Sequence, residues 1–293
     1  ISLTCQLFIN PGDIILVESP TFVHAVETFE LFEARCIGVN MDEDGMDVED
    51  LEDKIKKYYP KMIYVIPTFQ NPTGRTLSQK RRKKIAELAT IYDVLVLEDD
   101  PYRDIRYSGN DLLPIKGFDT SGNVVLGNSF SKIFSAGSRI GYIVGNDEVI
   151  EKLQSAKTAT NSHSSMLPQI LCAEFFKRGY YESHHKMICD LYRERRDVMM
   201  ECLDKYFPEG TKHTLPDGGL FTWVTLPGGL NTTELLKEAT TCPDVKVAYI
   251  AGEKFFADGE PVTNCMRISF GNVTPEQIRI GTEKLGRMFK SKL

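Results

Sequence analysis

A chain of 293 residues, 42% hydrophobic and 26% charged, has the composition of an ordinary globular protein, long enough to bury a large core and to divide into two domains. A net charge of −6 and a pI near 5.5 argue against nucleic acid or an anionic membrane as a general partner, and no apolar stretch approaches the roughly 20 residues needed to span a bilayer. Seven cysteines, an odd number without close-spaced pairs, point to reduced thiols in a cytoplasmic setting and offer no pattern for a structural zinc or other metal.

Near the start, Leu3, Leu7, Phe8 and Ile9 read as the end of an amphipathic helix cut part-way along, so the sequence is expected to be an N-terminally truncated piece. From about residue 12 to 180, short apolar runs alternate with longer amphipathic segments, the pattern of βαβ units around a mainly parallel sheet. Strands are expected at 14–17, 34–39 and 63–67. Ser78 reads as the N-cap of a helix in which Ile85, Leu88, Ala89 and Tyr92 recur at helical spacing, and its basic run from Lys80 to Lys84 reads as a solvated face. Further strands follow at 94–97, 123–127 and 140–144, the last running back across the sheet. A long amphipathic helix at 182–206 carries Met187, Ile188, Leu191, Val198, Met199 and Leu203 on its apolar side. Beyond it lie strands at 221–226, 245–250 and 266–270, then a closing helix to about residue 290, with Thr274 as cap and Pro275 at its first position.

Polar residues placed where parallel strands end are candidates for a ligand site, because open α/β sheets bind ligands at the carboxyl ends of their strands. Gln70-Asn71-Pro72-Thr73-Gly74 follows one such strand and Glu98-Asp99-Asp100-Pro101-Tyr102 another. Asn71 before proline also fits a plain turn. Glu98 and Asp100 compete with Asp99, although strand alternation turns them to the opposite face. The strand at 123–127 leads into Asn128-Ser129-Phe130-Ser131-Lys132, with Arg139 seven residues beyond the lysine. Hydroxyls and a guanidinium around a lysine suit a Schiff base with a cofactor whose phosphate must be held nearby. Pyridoxal 5′-phosphate (PLP) fits, since a neighbouring cation lowers the lysine pKa from about 10 and frees the amine as a nucleophile.

Taken in order, Asn-Pro-Thr-Gly, Asp-x-x-Tyr and Ser-x-Ser-Lys-x₆-Arg resemble the PLP-dependent class I/II aminotransferases of fold type I. The resemblance runs from Asn10-Pro11-Gly12-Asp13 through Ser19-Pro20-Thr21-Phe22 to Met266-Arg267-Ile268-Ser269-Phe270-Gly271, nearly the whole chain. It is strongest to the branch of 2-aminoadipate, kynurenine and aromatic aminotransferases, which includes aminotransferase-like domains of certain transcription regulators. The implied fold is α/β: a large PLP-binding domain at 1–188 with a mainly parallel sheet, and a smaller α+β domain at 189–293.

The resemblance also implies roles. Lys132 would carry the cofactor and move the substrate proton, and Asp99 would pair with the pyridine nitrogen. Tyr102 and Asn71 would bond the phenolic oxygen, Ser129, Ser131 and Arg139 would hold the phosphate, and Phe22 would stack on the ring. Arg267, beside Asn71, would clamp the substrate α-carboxylate, and Asn161, Phe255 and Phe256 would border the substrate pocket. The implied activity is transfer of an amino group from an L-amino acid to a 2-oxo acid in a cytoplasmic homodimer, with small molecules rather than nucleic acid or membrane as partners. A PLP β-lyase on the same fold, or a PLP-binding regulatory domain, stays open at this level because identical cofactor residues serve each. Two departures stand out: Ala136 and Ala251 occupy positions where relatives often carry proline, and the segment expected to add backbone amides to the phosphate cradle would precede Ile1.

Overall fold

In the computed structural model, which describes residues 1–259 and 262–293, these patterns resolve into two sheets and the helices that cover them. The strands of the first half are β1 (Ile14–Glu18), β2 (Arg35–Val39), a short hairpin of β3 (Met41–Asp42) and β4 (Gly45–Met46), β5 (Met62–Val65), β6 (Leu95–Asp99), β7 (Val124–Ser129) and β8 (Gly141–Val144). Six of them form one sheet in the order β2-β1-β5-β6-β7-β8, parallel as far as β7, with β8 returning antiparallel. β1 and β5 in the interior are hydrophobic along nearly all their length, Ile-Ile-Leu-Val-Glu and Met-Ile-Tyr-Val, because both of their faces are buried. β8 forms one edge of the sheet and is exposed along its length.

The helices are α1 (Ser2–Phe8), α2 (Val23–Leu31), α3 (Val48–Tyr58), α4 (Gln79–Tyr92), α5 (Asp147–Asn161), α6 (Met166–Lys177), α7 (Tyr180–Tyr206), α8 (Thr232–Thr241) and α9 (Pro275–Lys290). Alternation along the strands sends Leu16, Ile63, Val65 and Val96 to the face covered by α3 and α4, and Ile15, Val17, Tyr64 and Leu97 to the face covered by α1, α2 and α5. The second sheet is antiparallel, β11-β12-β10-β9, built from β9 (Lys212–His213), β10 (Phe221–Thr225), β11 (Ile250–Ala251) and β12 (Cys265–Ser269). Its core joins Val224, Met266 and Ile268 to Met199 and Leu203 of α7 and to Ile278, Leu285 and Phe289 of α9. The sequence division at residue 188 falls inside α7, which runs on unbroken.

Helix ends follow the expected chemistry at α9, where Thr274 and Gln277 form a reciprocal capping box around Pro275. Asp47 does the same work for α3 by accepting from the amides of Glu49 and Asp50. Ser78 occupies the N-cap of α4 in extended conformation, but its side chain makes no capping hydrogen bond.

Two expectations are revised. Within the basic run, Arg82 is buried rather than solvated: it shares the inward stripe with Ile85, Ala86 and Ala89 and donates to Leu77 O (2.9 Å), Pro67 O (2.7 Å) and Thr68 Oγ1 (3.1 Å). Helical periodicity, not charge, decides its direction. The strand expected at 245–250 survives only as Ile250–Ala251. Val245 and Lys246 donate their amides to Cys242 O, Val247 donates to Ala239 O, and Lys246 turns into the left-handed region at φ 50°, so the end of α8 takes hydrogen bonds that a strand would need. Among the described residues, all seven cysteines are unpaired and no helix is long and apolar enough to cross a membrane.

Candidate active site

β5, β6 and β7 are adjacent and parallel, so their carboxyl ends bring three separated sequence motifs to one edge of the sheet. β6 ends on Asp99. Leu97 lies on the face under α1 and α2, and two residues on, Asp99 continues along that face, where its Oδ2 accepts a hydrogen bond from the Tyr64 hydroxyl at 2.8 Å. Burial raises the proton affinity of Asp99, and the bond from Tyr64 pulls it back down. Glu98 and Asp100 face the other way, both fully buried. Glu98 accepts from the amides of Ile115 and Lys116, each at 2.8 Å, and Asp100 lies 3.6 Å from Arg103. Burial pushes Glu98 up to about 7 and Asp100 up to about 6.

A cavity of about 490 Å³ opens beside Asp99 and is lined also by Gly127, Asn128, Ser129, Gly141 and Tyr142. Ser129 Oγ donates to Ser131 Oγ at 2.7 Å, and the Ser131 amide donates back to Ser129 Oγ at 3.1 Å, so the two hydroxyls stand side by side. A Cβ on Gly141 would come within 2.5 Å of Asn128 O, which fixes glycine where β8 leaves the lysine loop. Lys132 is partly buried, its Nζ 5.6 Å from the centre of the Tyr102 ring. Its proton affinity is lowered by burial first and then by Arg139 and Arg267. Arg139 is exposed, with φ 53°, and its guanidinium donates to Ala136 O at 3.3 Å.

Across from the lysine, β12 presents Arg267. Its Nη1 donates to Asn71 Oδ1 at 2.8 Å, and the guanidinium lies over the rings of Phe221 (4.2 Å) and Phe255 (5.4 Å). Arg267 Nε is buried without a partner among the described residues, leaving unsatisfied donor capacity at this position. Tyr102 is buried edge-on against Phe221. Burial and then Asp99 push its hydroxyl up to about 12, against the pull of Arg267 and Asn71. Lys132, Asp99, Tyr102, Asn71 and Arg267 therefore converge, with Ser129 and Ser131 on the same loop as the lysine. Phe22 sits at the N-cap of α2, with its described contacts to His24 and the apolar cluster beneath that helix. Phe256 packs near Trp223. Asn161 ends α5 and is exposed, accepting from Lys157, away from these contacts. A larger, polar cavity of about 630 Å³, lined by Glu43, Arg75, His213 and Trp223 among others, holds none of the titratable motif residues.

Residues that no motif singles out hold the Asn71 loop from beneath. Gln70 accepts from Thr73 N (2.9 Å) and Thr73 Oγ1 (2.7 Å) and donates to Pro20 O (2.8 Å) and Glu18 Oε2 (3.1 Å). Glu18, at the end of β1, also accepts from Ile66 N. Tyr64 is a further such residue, and its signal is a phenol inside an aliphatic strand, which needs a partner for its hydroxyl. Burial, opposed by the bonds from Ile66 and Gln70, pushes Glu18 up to about 8 from an ordinary value near 4.5. The folded state thus binds a proton that the unfolded chain has released. Its contribution to stability is complete below pH 4.5 and drains away as pH rises to about 8. Glu18→Gln is expected to flatten stability between pH 5 and 8, read from urea melts at several pH values; curves parallel to wild type would refute a neutral buried Glu18.

The donor set suits PLP and an amino acid: an amine of lowered proton affinity, a carboxylate open to a cavity, paired hydroxyls, an exposed guanidinium and a partly unsatisfied one. Comparison with known proteins agrees in kind. The family model for aminotransferase class I and II matches residues 1–285. Aromatic-amino-acid aminotransferase 1 of Thermococcus litoralis is 40% identical over 298 residues, covering 100% of this chain and 70% of that protein. The 2-aminoadipate transaminase of Thermus thermophilus is 34% identical over 298 residues, covering 100% of this chain and 73% of its own. The crystal structure of Pyrococcus horikoshii kynurenine aminotransferase, in complex with PMP, KYN and KYA, superposes with a TM-score of 0.95 at 41% identity, over 100% of this chain and 72% of that one.

Proposed function

The chain belongs to the class I and II aminotransferases, and from that premise we propose that it uses PLP to move an amino group from an L-amino acid to a 2-oxo acid, with Lys132 as the covalent anchor. The observation that carries this reading is the convergence of Lys132, Asp99, Tyr102 and Arg267 from three separate segments. When bound, PLP supplies an aldehyde that accepts the amino group and a pyridinium ring that spreads the charge left on the substrate carbon. Burial, then Arg139 and Arg267, lower the proton affinity of Lys132, which would make its amine easier to present to the cofactor, and once displaced Nζ would carry a proton from the substrate Cα. Asp99 would pair with the ring nitrogen. Tyr102 and Asn71 would bind the phenolic oxygen, Phe22 would lie against the ring, and Ser129, Ser131 and Arg139 would hold the phosphate. Arg267 with Asn71 grips the α-carboxylate, and Phe221 and Phe255 keep water from the guanidinium, which strengthens that attraction.

The names of the relatives support aromatic, kynurenine-like or 2-aminoadipate donors, and a 2-oxo acid as acceptor. We further propose a cytoplasmic homodimer with large and small domains at 1–188 and 189–293 and small molecules as its only substrates. The test is incubation of the PLP-loaded protein with a panel of L-amino acids and 2-oxoglutarate. Glutamate should form in step with the new oxo acid and without ammonia. Ammonia release in the absence of any acceptor would overturn transamination in favour of β-elimination.

A further inference from the structure

Tyr64 stands in the middle of β5 between Ile63 and Val65 and is fully buried. Its ring packs edge-on against Phe29, with centroids 5.4 Å apart, and its hydroxyl crosses to the neighbouring strand to meet Asp99 Oδ2 at 2.8 Å. The ladder explains the meeting. Tyr64 pairs with Leu97 in the parallel register, so its side chain emerges on the face that Leu97 and Asp99 share, one pleat before the strand ends. The direction of the bond is set as well, because a phenol this deep, beside a carboxylate, keeps its proton and donates it. Asp99 Oδ1 takes no hydrogen bond from the described residues, and the carboxylate lines the cavity.

We propose that Tyr64 is a positioning residue for the reaction: by donating to Oδ2 it holds Asp99 ionised and leaves Oδ1 for the ring nitrogen of the cofactor. The proposal rests on the reading of Asp99 as the partner of that nitrogen. One proton is shared between Asp99 and the ring. Whatever makes the carboxylate a stronger base draws that proton off the ring and weakens the ring as an acceptor of charge. Two other groups face Asp99. Glu18 is a buried carboxyl across the sheet, and Tyr102 lies three residues on. Burial favours the protonated acid; the amino group of Ile1 acts against it from a distance, and the bond from Tyr64 is the contact among the described residues that opposes it from within hydrogen-bond distance. A hydrogen bond to an ionised group has the strength to tip such a balance.

Tyr64→Phe removes the donor and keeps the ring against Phe29. In cofactor-free protein carrying ¹³C-labelled aspartate, the Asp99 carboxyl should titrate at higher pH than in wild type. In protein loaded with ring-¹⁵N PLP, the ring resonance should move from the protonated toward the neutral position. Turnover should fall about tenfold while PLP affinity changes less than about threefold. 3-Fluorotyrosine incorporated at position 64 keeps the packing and the donor but makes the hydroxyl more acidic, so it should shift the Asp99 titration to lower pH even if the phenylalanine variant folds poorly. Asp99→Asn separates the two levels of the argument. A ring resonance unmoved by Asp99→Asn would refute the pairing of Asp99 with the ring. A resonance moved by Asp99→Asn, with an Asp99 titration indifferent to both changes at position 64, would refute the role of Tyr64 alone.

Discussion

Lys132→Ala is expected to abolish transamination, lowering kcat by about four orders of magnitude or more, while the protein remains folded. The side chain sits on a turn beyond β7, is only partly buried, and faces the edge of the Tyr102 site rather than a core cluster, so its loss removes an amine and little packing. Two neighbouring cations and partial burial lower its proton affinity. A surface lysine has neither influence, and none should replace it. Borohydride reduction of the PLP-loaded wild-type protein, followed by peptide mapping, should find the cofactor on Lys132. An adduct on any other lysine would sink the assignment and the mechanism with it.

Arg267→Lys is expected to raise KM by about ten- to a hundredfold for every amino-acid substrate, with a smaller change in kcat. The guanidinium bonds Asn71 through one nitrogen and spreads flat over Phe221, which leaves its remaining donors for a planar anion. An ammonium cannot fork and stack in this way. Because the α-carboxylate is common to all substrates, the defect should be independent of side chain. A rise confined to acidic substrates, measured across the same panel of amino acids, would place Arg267 at the side-chain pocket instead.

Much of this arrangement is legible in the sequence because it depends on neighbours a few residues away. Alternation along β6 separates Asp99 from Glu98 and Asp100, and in the structure Glu98 meets the amides of Ile115 and Lys116 and Asp100 lies near Arg103 while Asp99 meets Tyr64. Thr274, Pro275 and Gln277 announce the start of α9, since a capping box is closed within one turn. The basic run on α4 and the segment 245–250 read differently in three dimensions. In each case tertiary hydrogen bonds outweigh the local signal: buried carbonyls at Leu77 and Pro67 claim Arg82, and the end of α8 claims the amides of Val245 to Val247.

Which residue types stand at the ends of which strands follows from the local pattern alone: Asn71 after β5, Asp99 closing β6 and Ser129 closing β7, each followed by its loop. Which of them touch depends on how the strands are ordered in space. Arg267 meets Asn71 across 196 residues, Gln70 meets Glu18 across 52, and Tyr64 meets Asp99 across 35. Those contacts follow from strand order and register, with β1, β5 and β6 side by side and β12 facing them from the second sheet. Hydrophobic periodicity reports which face of a strand is buried but not which strand lies next to it, because any apolar face can be satisfied by any other. A buried hydroxyl or guanidinium is less permissive: it must find one particular acceptor, and the fold chooses that acceptor.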